Sequence, residues 1–569
     1  MDTIDKIETR NELADFLNIP RKKLTYILYI KGVDNLYTSF DIPKKSGGFR
    51  HIHAPRKDLK LIQKNLADAL CSYQKEFWDK NNIKPNISHA FQKGKSFITN
   101  AKIHRNKKYV VNVDLEDFFD QFHFGRVRGF FLKNYNFQLS EEVATVIAQL
   151  ACYKGKLPQG SPCSPVITNL ICNIFDARVS KLAKKYRLNY TRYADDLTFS
   201  TNNHKFLDVE SEFFAELKKE IDNAGFKINE KKTRVQYHDS RQEVTGIVVN
   251  KKLHVNRDYY KKTRAMAYHL YKNGEYFIDE ETQGTINQLE GRFSFINQLE
   301  WYNNKLDSNT KKLKFENLNG REKEYSQFLF YKYFFANSKP LIVTEGKTDI
   351  TYLKAALKNL WQEYPELVSR GQNGQVEYKI AFLKRSKRLS YFLNLKKDGA
   401  DSMNNIYQFF SNAGGEKYPN YIELFKRLGN RFPMNPVILI FDNELSNNTK
   451  PISKFVKGKI SEEQNNQLES NTWIKVVENL YLLITPLIEG ETESDIEMLF
   501  DDATLSHESD GKKFCKQDEF DIDQFYGKEV FSQYIMKNYR SIDFSGFKPL
   551  LNNIRMICES YKKENQEFH

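Results

Sequence analysis

The chain has 569 residues and a formal charge of +14, and 28% of its residues are charged. This length exceeds what one hydrophobic core supports, so we expect two or three packed units. No apolar run approaches the ~20 residues that a bilayer requires, and the polar start MDTIDKIETR does not resemble a signal peptide. We therefore expect a cytoplasmic protein without a membrane partner, with its six cysteines reduced and no zinc site.

The positive charge is concentrated in the first part of the chain. Residues 1–335 hold 56 Lys and Arg against 40 Asp and Glu, and the remainder holds 31 against 33. An excess confined to one module favours binding of a phosphate backbone, because bound cations release counterions from nucleic acid. An ordinary solvated basic surface is the alternative.

The first element with candidate chemistry is a basic turn. In IPKKSGGFRHIHAP (residues 42–55) the cations Lys44, Lys45 and Arg50 flank a Gly-Gly pair. Glycines let backbone amides approach a ligand, and amides together with cations can grip a triphosphate. An ordinary basic hairpin is the alternative.

Two later segments predict carboxylates at strand ends. KYVVNVDLEDFFDQF (residues 108–122) begins as an apolar, β-branched strand, reaches Asp114 and continues with helical spacing. LNYTRYADDLTFSTNN (residues 188–203) predicts two strands with Asp195 and Asp196 on a tight turn. Adjacent acids repel each other unless a cation lies between them, and Mg²⁺ would provide that charge. A polar hairpin tip and a helix cap are the alternative uses of these acids.

In their order along the chain, these segments resemble the motif series of reverse transcriptases. Residues 42–55 resemble the fingers segment, VVNVDLEDFF the first catalytic motif, LPQGSPCSPVITNL (157–170) the template and nucleotide motif, YADDLTFS the second catalytic motif, and GFKINEKKT (225–233) the lysine-bearing motif. The resemblance implies a right-hand polymerase with fingers, palm and helical thumb. It also implies a two-Mg²⁺ site, with Asp114 and Asp195 as bridging ligands and Asp196 as a supporting acid.

The resemblance implies roles for further residues. Phe119 matches the bulky side chain that excludes a ribose 2′-hydroxyl, with a core aromatic as the alternative. Gln159 and Gly160 match the pair that contacts the incoming nucleotide and lets the template lie close, with a Pro-initiated turn as the alternative. Lys232, or its neighbour Lys231, is the candidate proton donor to pyrophosphate.

Two more strings, ITNAKIH and EVTGIVVN, resemble markers of retron reverse transcriptases. Retron enzymes recognise a structured RNA encoded beside them, start synthesis from a 2′-hydroxyl of that RNA and leave a branched RNA–DNA hybrid (msDNA). A helix cap with a satisfied histidine and a strand ending in a turn are the alternatives. The residues expected to recognise RNA are Asn100, His104, Val244, Thr245 and Gly246.

The pattern changes near Pro340, which sets the predicted domain boundaries. Residues 1–320 are the predicted reverse transcriptase, with fingers and palm in residues 1–250 and a helical thumb in residues 251–320. Residues 321–337 are a predicted linker. Residues 338–569 form the predicted second module, with a C-terminal helical extension.

The second module alternates strands and helices. LIVTEG (341–346), VEYKIAFL (376–383) and PVILIFDNE (436–444) are its predicted strands. Acids at the ends of buried parallel strands converge on one edge of the sheet, where open α/β folds place their sites. The EGxxD element followed by a strand-borne DxE resembles the Toprim domain of topoisomerases, primases and overcoming-lysogenization-defect nucleases.

The Toprim resemblance implies a mostly parallel sheet and a second Mg²⁺ site. Glu345 would act as acid or base, while Asp442 and Glu444 would hold the ion. Many Toprim domains carry Asp where this chain has Glu444, which leaves the metal geometry open. For three further acids the sequence does not decide between a helix cap and a metal ligand: Asp349, Asp495 and Glu497.

Together these features predict a multidomain α+β protein, a right-hand polymerase followed by an α/β Toprim-like domain. The expected function is a retron reverse transcriptase whose Toprim module is a Mg²⁺-dependent nuclease effector in defence against phage. The expected partners are a cognate structured non-coding RNA, its RNA–DNA product, dNTPs and phage or host nucleic acid as nuclease target; a homo-oligomer is compatible with the sequence. Two alternatives are a group II intron-like or other mobile-element enzyme, and a Toprim domain that only binds nucleic acid or a partner.

Overall fold

The structure is a computed structural model that describes residues 3–44, 47–306, 314–396, 401–517 and 519–566. The chain divides into two compact units, Met1–Asn256 and Arg257–His569. Residues 1–256 contain 43 Lys and Arg against 29 Asp and Glu, and residues 257–569 contain 44 of each. The whole formal charge of +14 therefore belongs to the first unit.

The first unit combines helices with a central sheet. Its helices are α1 (Arg10–Phe16), α2 (Arg21–Thr25), α3 (Lys57–Lys80), α4 (Phe97–Ala101), α5 (Phe124–Lys133), α6 (Glu141–Ala151), α7 (Ser164–Lys185) and α8 (Glu210–Asn223). Its strands are β1 (Tyr37–Pro43), β2 (Phe49–Pro55), β3 (Tyr109–Asp114), β4 (Asn189–Tyr193), β5 (Asp196–Thr201), β6 (Arg234–Tyr237), β7 (Glu243–Val244) and β8 (Ile247–Val248).

The central sheet of the first unit, the predicted palm, is antiparallel and has the strand order β4-β5-β3-β6. Its strands bury apolar side chains such as Val111, Leu197 and Phe199 against helices that include α7 and α8, in one continuous core. The β1–β2 hairpin, which contains the predicted fingers segment, forms a separate two-stranded ladder.

The chain after β3 differs from the predicted helix. Asp117 has a left-handed backbone (φ 43°), and only a short 3₁₀-helix, Phe118–Gln121, follows it before α5 begins. Phe118 is buried against Phe122 and Phe226, so the apolar pattern in this segment reflects core packing rather than an α-helical face.

The second unit is an α/β fold. Its helices are α9 (Arg257–Asn273), α10 (Ile286–Leu306), α11 (Gly320–Phe330), α12 (Lys347–Asn359), α13 (Lys387–Leu393), α14 (Asp401–Phe410), α15 (Tyr421–Gly429), α16 (Pro451–Val456), α17 (Glu462–Asn471), α18 (Asp502–Leu505), α19 (Lys528–Asn538) and α20 (Lys548–Gln566). Its strands are β9 (Leu341–Thr344), β10 (Val368–Arg370), β11 (Val376–Tyr378), β12 (Ala381–Phe382), β13 (Val437–Phe441), β14 (Trp473–Val477), β15 (Leu480–Ile484), β16 (Glu508–Ser509), β17 (Lys512–Phe514) and β18 (Phe525–Tyr526).

The central sheet of this unit has the order β12-β9-β13-β15-β14. All pairs are parallel except β14–β15, in agreement with the predicted mostly parallel sheet. Alternate residues of β13 belong to two different buried clusters, one on each face, which explains why VILIF is apolar throughout. The predicted strand 376–383 is two strands, of which β11 pairs with β10 in a separate hairpin.

The segment predicted as a linker at residues 321–337 is helical and packed. It contains most of α11 and a π-helical turn, Tyr331–Phe335, and it buries Tyr325, Phe328 and Tyr331. The helices α9 and α10, predicted as the thumb of the polymerase, share this core through side chains such as Leu270 and Phe293. These aromatic side chains share one apolar core, so the first compact unit ends at residue 256, whereas the predicted polymerase extends to residue 320.

All six cysteines are free thiols. Within the described part of the chain, no helix combines the length and apolar character needed to cross a membrane.

Candidate active sites

The three predicted catalytic acids of the first unit lie together at one end of the palm sheet. Asp114 is the last residue of β3 and pairs in register with Asp196, the first residue of β5. Asp195 lies in the turn between β4 and β5, and its carbonyl accepts a hydrogen bond of 3.1 Å from the amide of Leu115. The left-handed backbone of Ala194 (φ 57°) makes this tight turn.

Asp114 is held by the lysine-bearing motif. Lys232 Nζ lies 3.0 and 3.1 Å from the two carboxylate oxygens of Asp114. Asn229 Nδ2 donates a hydrogen bond of 3.1 Å to the same carboxylate, and the Asn229 amide donates to the Asp114 carbonyl. This geometry distinguishes Lys232 from Lys231 and adds Asn229, which sequence analysis missed, to the site.

The electrostatics of this site leave an excess of negative charge. Burial raises the pKa of Asp196 to about 7, and the charges of Asp195 and Asp114 contribute to the shift. Burial and the charge of Asp114 also raise the pKa of Asp195. For Lys232, burial lowers the pKa, but the hydrogen bond to Asp114 and the three acidic charges raise it overall. A divalent cation would relieve the repulsion among these acids.

The palm acids fit Mg²⁺ by donor type and charge. Among the described residues, no group of three or more His, Cys, Asp or Glu side chains is already arranged to hold a metal ion. Mg²⁺ commonly uses only one or two protein carboxylates and completes its octahedron with water and substrate phosphates. Asp114, Asp195 and Asp196 supply oxygen donors of this kind, so they suit an ion that arrives with a nucleotide.

A buried ion pair holds the turn between β4 and β5 that carries Asp195. Arg192 is fully buried, and its Nε and Nη2 donate to the two oxygens of Asp176 at 2.9 and 2.8 Å. Its Nη1 donates to the Ala194 carbonyl at 3.2 Å, and its Nη2 also donates to Asn169. Arg192 is therefore a positioning residue for Asp195, and sequence analysis missed it because its partner Asp176 lies on a different element, α7.

The predicted nucleotide-binding cations occupy the exposed β1–β2 hairpin. Lys44 and Arg50 are exposed, and the charge of Arg50 acts on Asp195. Lys45 lies outside the described residues. Arg50, whose charge acts on Asp195, suits a triphosphate, as the sequence predicts.

Gln159 and Gly160 join the fingers hairpin to the palm. The Gln159 carbonyl accepts a hydrogen bond of 2.8 Å from the His53 amide on β2. Gly160 has φ 116°, and a Cβ atom there would lie 2.8 Å from the His53 carbonyl oxygen. The missing side chain at Gly160 makes room for β2, a role that the sequence did not indicate.

Phe119 is half-buried and packs edge to face against Phe118, with ring centroids 5.4 Å apart. It lies at the margin of the core rather than inside it. Part of its ring is therefore available to contact a sugar, as the steric-gate prediction requires.

Three of the five residues expected to recognise RNA are buried. Asn100, His104 and Val244 are 0% exposed. His104 hydrogen-bonds through Nδ1 to Ser200 Oγ (2.8 Å) and through Nε2 to Thr191 Oγ1 (2.7 Å). We therefore correct the prediction that these three residues contact RNA directly. Side chains without exposed surface cannot touch RNA, so their role is structural.

The other two form the turn between β7 and β8. Thr245 and Gly246 both have positive φ (47° and 79°), as a two-residue hairpin turn requires. Thr245 Oγ1 donates a hydrogen bond of 3.2 Å to the Phe97 carbonyl, which joins the VTG string to the helix that carries Asn100. The two strings thus form one structural element, with Gly246 exposed at its surface.

In the second unit, the predicted acids meet at the carboxyl edge of the parallel sheet. Glu345 follows β9, and Asp442 and Glu444 follow β13. The Glu345 carboxylate accepts a hydrogen bond of 3.3 Å from the Asp442 amide. Asp349 caps α12, since its carboxylate accepts the Gly346 amide at 2.8 Å.

A bridge between distant segments brings more acids to this edge. Asn443 and Ser494 pair through their backbones, and the amide of Ile496 donates a hydrogen bond of 3.2 Å to Asp442 Oδ1. Asp495 caps the following 3₁₀-helix through the Met498 amide, as one of the two sequence interpretations expects. This pairing places the 495–497 segment beside Asp442.

The carboxyl edge also holds cations. Glu497 is 0% exposed, and Lys528 Nζ lies 3.1 Å from its Oε2. Lys450 Nζ lies 2.5 Å from Glu444 Oε1, so a metal ion at Glu444 would compete with this lysine. Sequence analysis did not identify either lysine, because each lies on a separate helix or loop.

Mutual repulsion is strong among these acids. Burial, together with the charges of Asp349 and Glu444, raises the pKa of Glu345 to about 7. Burial and the charge of Glu345 raise the pKa of Asp442 well above its usual range. Glu345 can therefore exchange a proton near neutral pH, as an acid or base requires.

Residues 42–249, which include the palm sheet and its acids, match the family of reverse transcriptase (RNA-dependent DNA polymerase). Polymerases of this family generally use Mg²⁺ in catalysis. The chain belongs to the retron reverse transcriptases. It is 32% identical over 294 residues to the retron Ec86 reverse transcriptase of Escherichia coli, covering 50% of this chain and 84% of that protein.

A second relative, the retron Mx162 reverse transcriptase of Myxococcus xanthus, is 32% identical over 331 residues, covering 52% of this chain and 64% of that protein. The chain therefore spans less than two thirds of that relative. Among solved structures, a telomerase from Candida albicans matches 52% of this chain and 60% of its own, with 11% identity and a TM-score of 0.30, a similarity too weak to inform the fold.

Proposed function

We propose that this protein is a retron reverse transcriptase that copies part of a cognate structured non-coding RNA into a branched RNA–DNA hybrid. The observation that carries the proposal is the register of Asp114 opposite Asp196, with Asp195 on the adjoining turn, in a chain of the retron family. The positive charge of the first unit favours a nucleic-acid template.

In this proposal, each residue at the palm site has a separate role in nucleotide addition. Asp114, Asp195 and Asp196 would hold Mg²⁺, which when bound supplies charge that stabilises the attacking and leaving oxygens. Lys232, already protonated beside Asp114, is placed to donate a proton to the leaving pyrophosphate. Phe119 excludes a ribose 2′-hydroxyl, and Arg192 keeps the turn that carries Asp195 in place.

The polymerase proposal is tested by primer extension on RNA that copurifies with the protein. Asp195→Asn keeps the size of the side chain but removes one charge, so DNA synthesis should fall to background. Asp208→Asn, at an exposed acid, is the matched control and should extend at the wild-type rate. Wild-type extension by Asp195→Asn would place the catalytic centre elsewhere.

We further propose that the second unit is a Toprim-like, Mg²⁺-dependent nuclease that acts as the effector in defence against phage. The supporting observation is that Glu345 and Asp442 are hydrogen-bonded neighbours at the carboxyl edge of a mostly parallel sheet. Asp442 and Glu444 would hold the ion, and Glu345 would move a proton. The defence role rests on the resemblance to retron proteins with fused effectors.

The nuclease proposal is tested by incubating the complete protein with phage and host nucleic acid in the presence of Mg²⁺. Glu345→Ala should abolish cleavage, because it removes the group that exchanges a proton near neutral pH. Glu366→Ala, at an exposed acid, should cleave normally. Equal cleavage by wild type and Glu345→Ala, or none by either, would favour a module that only binds nucleic acid or a partner.

A further inference from the structure

A basic segment lies beside the acids of the second unit. LKRSKR (residues 383–388) places four cations in five residues, in a unit with equal numbers of acidic and basic residues. We call residues 384–387 the basic segment.

The basic segment leaves the sheet at the same edge as the acids. It follows β12, the edge strand that runs parallel to β9, and the Leu383 amide donates a hydrogen bond of 2.9 Å to the Ile342 carbonyl. The Arg385 guanidinium donates a hydrogen bond to the carbonyl of Thr344, the residue before Glu345. Across the carboxyl edge the order is thus basic segment, Glu345, then Asp442.

The lysines of the basic segment are available to a ligand. Lys384 and Lys387 are exposed, and neither side chain forms an ion pair or a hydrogen bond with another residue that the structure describes. The pKa of Lys354 is lowered by burial and by the charges of Lys384 and Lys358, as expected where cations lack a counter-charge. By contrast, Arg388 is engaged by Glu290 at 2.7 Å.

We propose that the basic segment binds the phosphate backbone of a nucleic-acid strand and presents it to Glu345 and Asp442. The inference rests on the proposed nuclease function and names how its substrate is held. A cluster of carboxylates repels a polyanion, so cations must lie close by. The ammonium groups of the two exposed lysines suit phosphate oxygens, and Arg385 holds the segment next to Glu345 through the Thr344 carbonyl. RNA and DNA share this backbone chemistry.

The strand spacing sets the distance between binding and cleavage. Neighbouring strands lie about 4.8 Å apart, so the ends of β12 and β13 are separated by about 10 Å. At about 3.4 Å per nucleotide, this distance corresponds to about three nucleotides. Phosphates held by the basic segment should therefore lie about three nucleotides from the bond that is cut.

The inference is tested by photocrosslinking to the complete protein carrying Glu345→Ala, which prevents cleavage. The probes are iodouridine-substituted oligouridylate and its deoxyuridine counterpart, and crosslinked peptides are identified by mass spectrometry. We expect crosslinks in the peptide that contains residues 383–388 with at least one probe, and the two arms distinguish RNA from DNA. Localising the crosslink separates this contact from binding by the first unit.

A charge-matched pair of variants gives the quantitative test. Lys384→Ala with Lys387→Ala should lower crosslinking of this peptide several-fold and reduce the slope of its salt dependence by about 1.4, at ~0.7 per phosphate contact. Lys562→Ala with Lys563→Ala removes the same charge from exposed positions of α20 and should change neither.

The outcomes separate the two proposals. Crosslinks that avoid residues 383–388 with both probes, or that survive Lys384→Ala with Lys387→Ala unchanged, overturn the basic segment as a binding element. Crosslinks in that segment without any cleavage by the wild-type protein leave it standing and refute the nuclease instead.

Discussion

Removal of the buried Arg192 guanidinium should loosen the catalytic turn. Arg192→Met keeps a similar length but leaves the Asp176 carboxylate, 4% exposed, without its charged partner. Among the residues that the structure describes, only Tyr190 Oη would still donate a hydrogen bond to this carboxylate, at 2.9 Å. Breaking a buried pair in this way costs about 3–5 kcal/mol. Arg192→Lys should lower the rate of primer extension, because one ammonium group cannot reproduce the hydrogen bonds of the guanidinium to Asp176, Asn169 and Ala194.

Hydrogen exchange of residues 189–201 in the complete protein measures this loss locally, without assuming a single unfolding step. Each 1.4 kcal/mol is tenfold, so exchange should accelerate by more than about a hundredfold. Combining Arg192→Met with Asp176→Asn removes the stranded charge and should restore part of the protection. An acceleration below about tenfold in the single variant, or no recovery in the double variant, would refute the assigned role of this ion pair.

Three further outcomes are expected in the first unit. The pKa of His104 is lowered to about 3 by burial and by nearby His89 and Lys107, so the folded state resists a proton that the unfolded state accepts below about pH 6.5. Stability should therefore fall with pH from about 6.5 towards 3, by up to about 1.4 kcal/mol per unit, and His104→Gln should flatten this slope in acid denaturation; an unchanged slope would contradict a neutral buried histidine. Phe119→Val should raise the kcat/KM for ribonucleotides relative to deoxynucleotides about tenfold, and an unchanged ratio would leave Phe119 as a packing residue. Gly160→Ala should destabilise the junction with β2 by about 1–3 kcal/mol, seen as faster hydrogen exchange of residues 49–55, because its Cβ would meet the His53 carbonyl; unchanged exchange would show that the backbone relaxes freely.

Local sequence was sufficient to predict the positions of the three palm acids and the strands that carry them. Asp114 and Asp196 end and begin apolar strands, and the Tyr-Ala-Asp-Asp string encodes the turn between β4 and β5. These features depend on alternation and turn residues within about fifteen neighbouring positions, which a pattern can report. The same holds for β9 and β13 of the second unit, whose apolar runs end next to Glu345 and Asp442.

Sequence patterns did not reveal which core buries α9 and α10. The helices α9 and α10 have the amphipathic spacing of a polymerase thumb, yet they bury Leu270 and Phe293 in the core of the second unit. Spacing shows that a helix has an apolar face but not which surface covers that face. The helical segment at residues 321–337 was mistaken for a linker for the same reason.

The amino-acid sequence by itself determined which residues are acids, which strands present them and which reverse-transcriptase motifs they resemble. Tertiary structure alone decided which distant groups support those acids. Arg192 meets Asp176, Lys232 meets Asp114, and the 495–497 segment meets Asp442 only after the chain folds. These contacts join residues far apart in the chain, and no local periodicity encodes them, because each forms through packing of separate elements into one core.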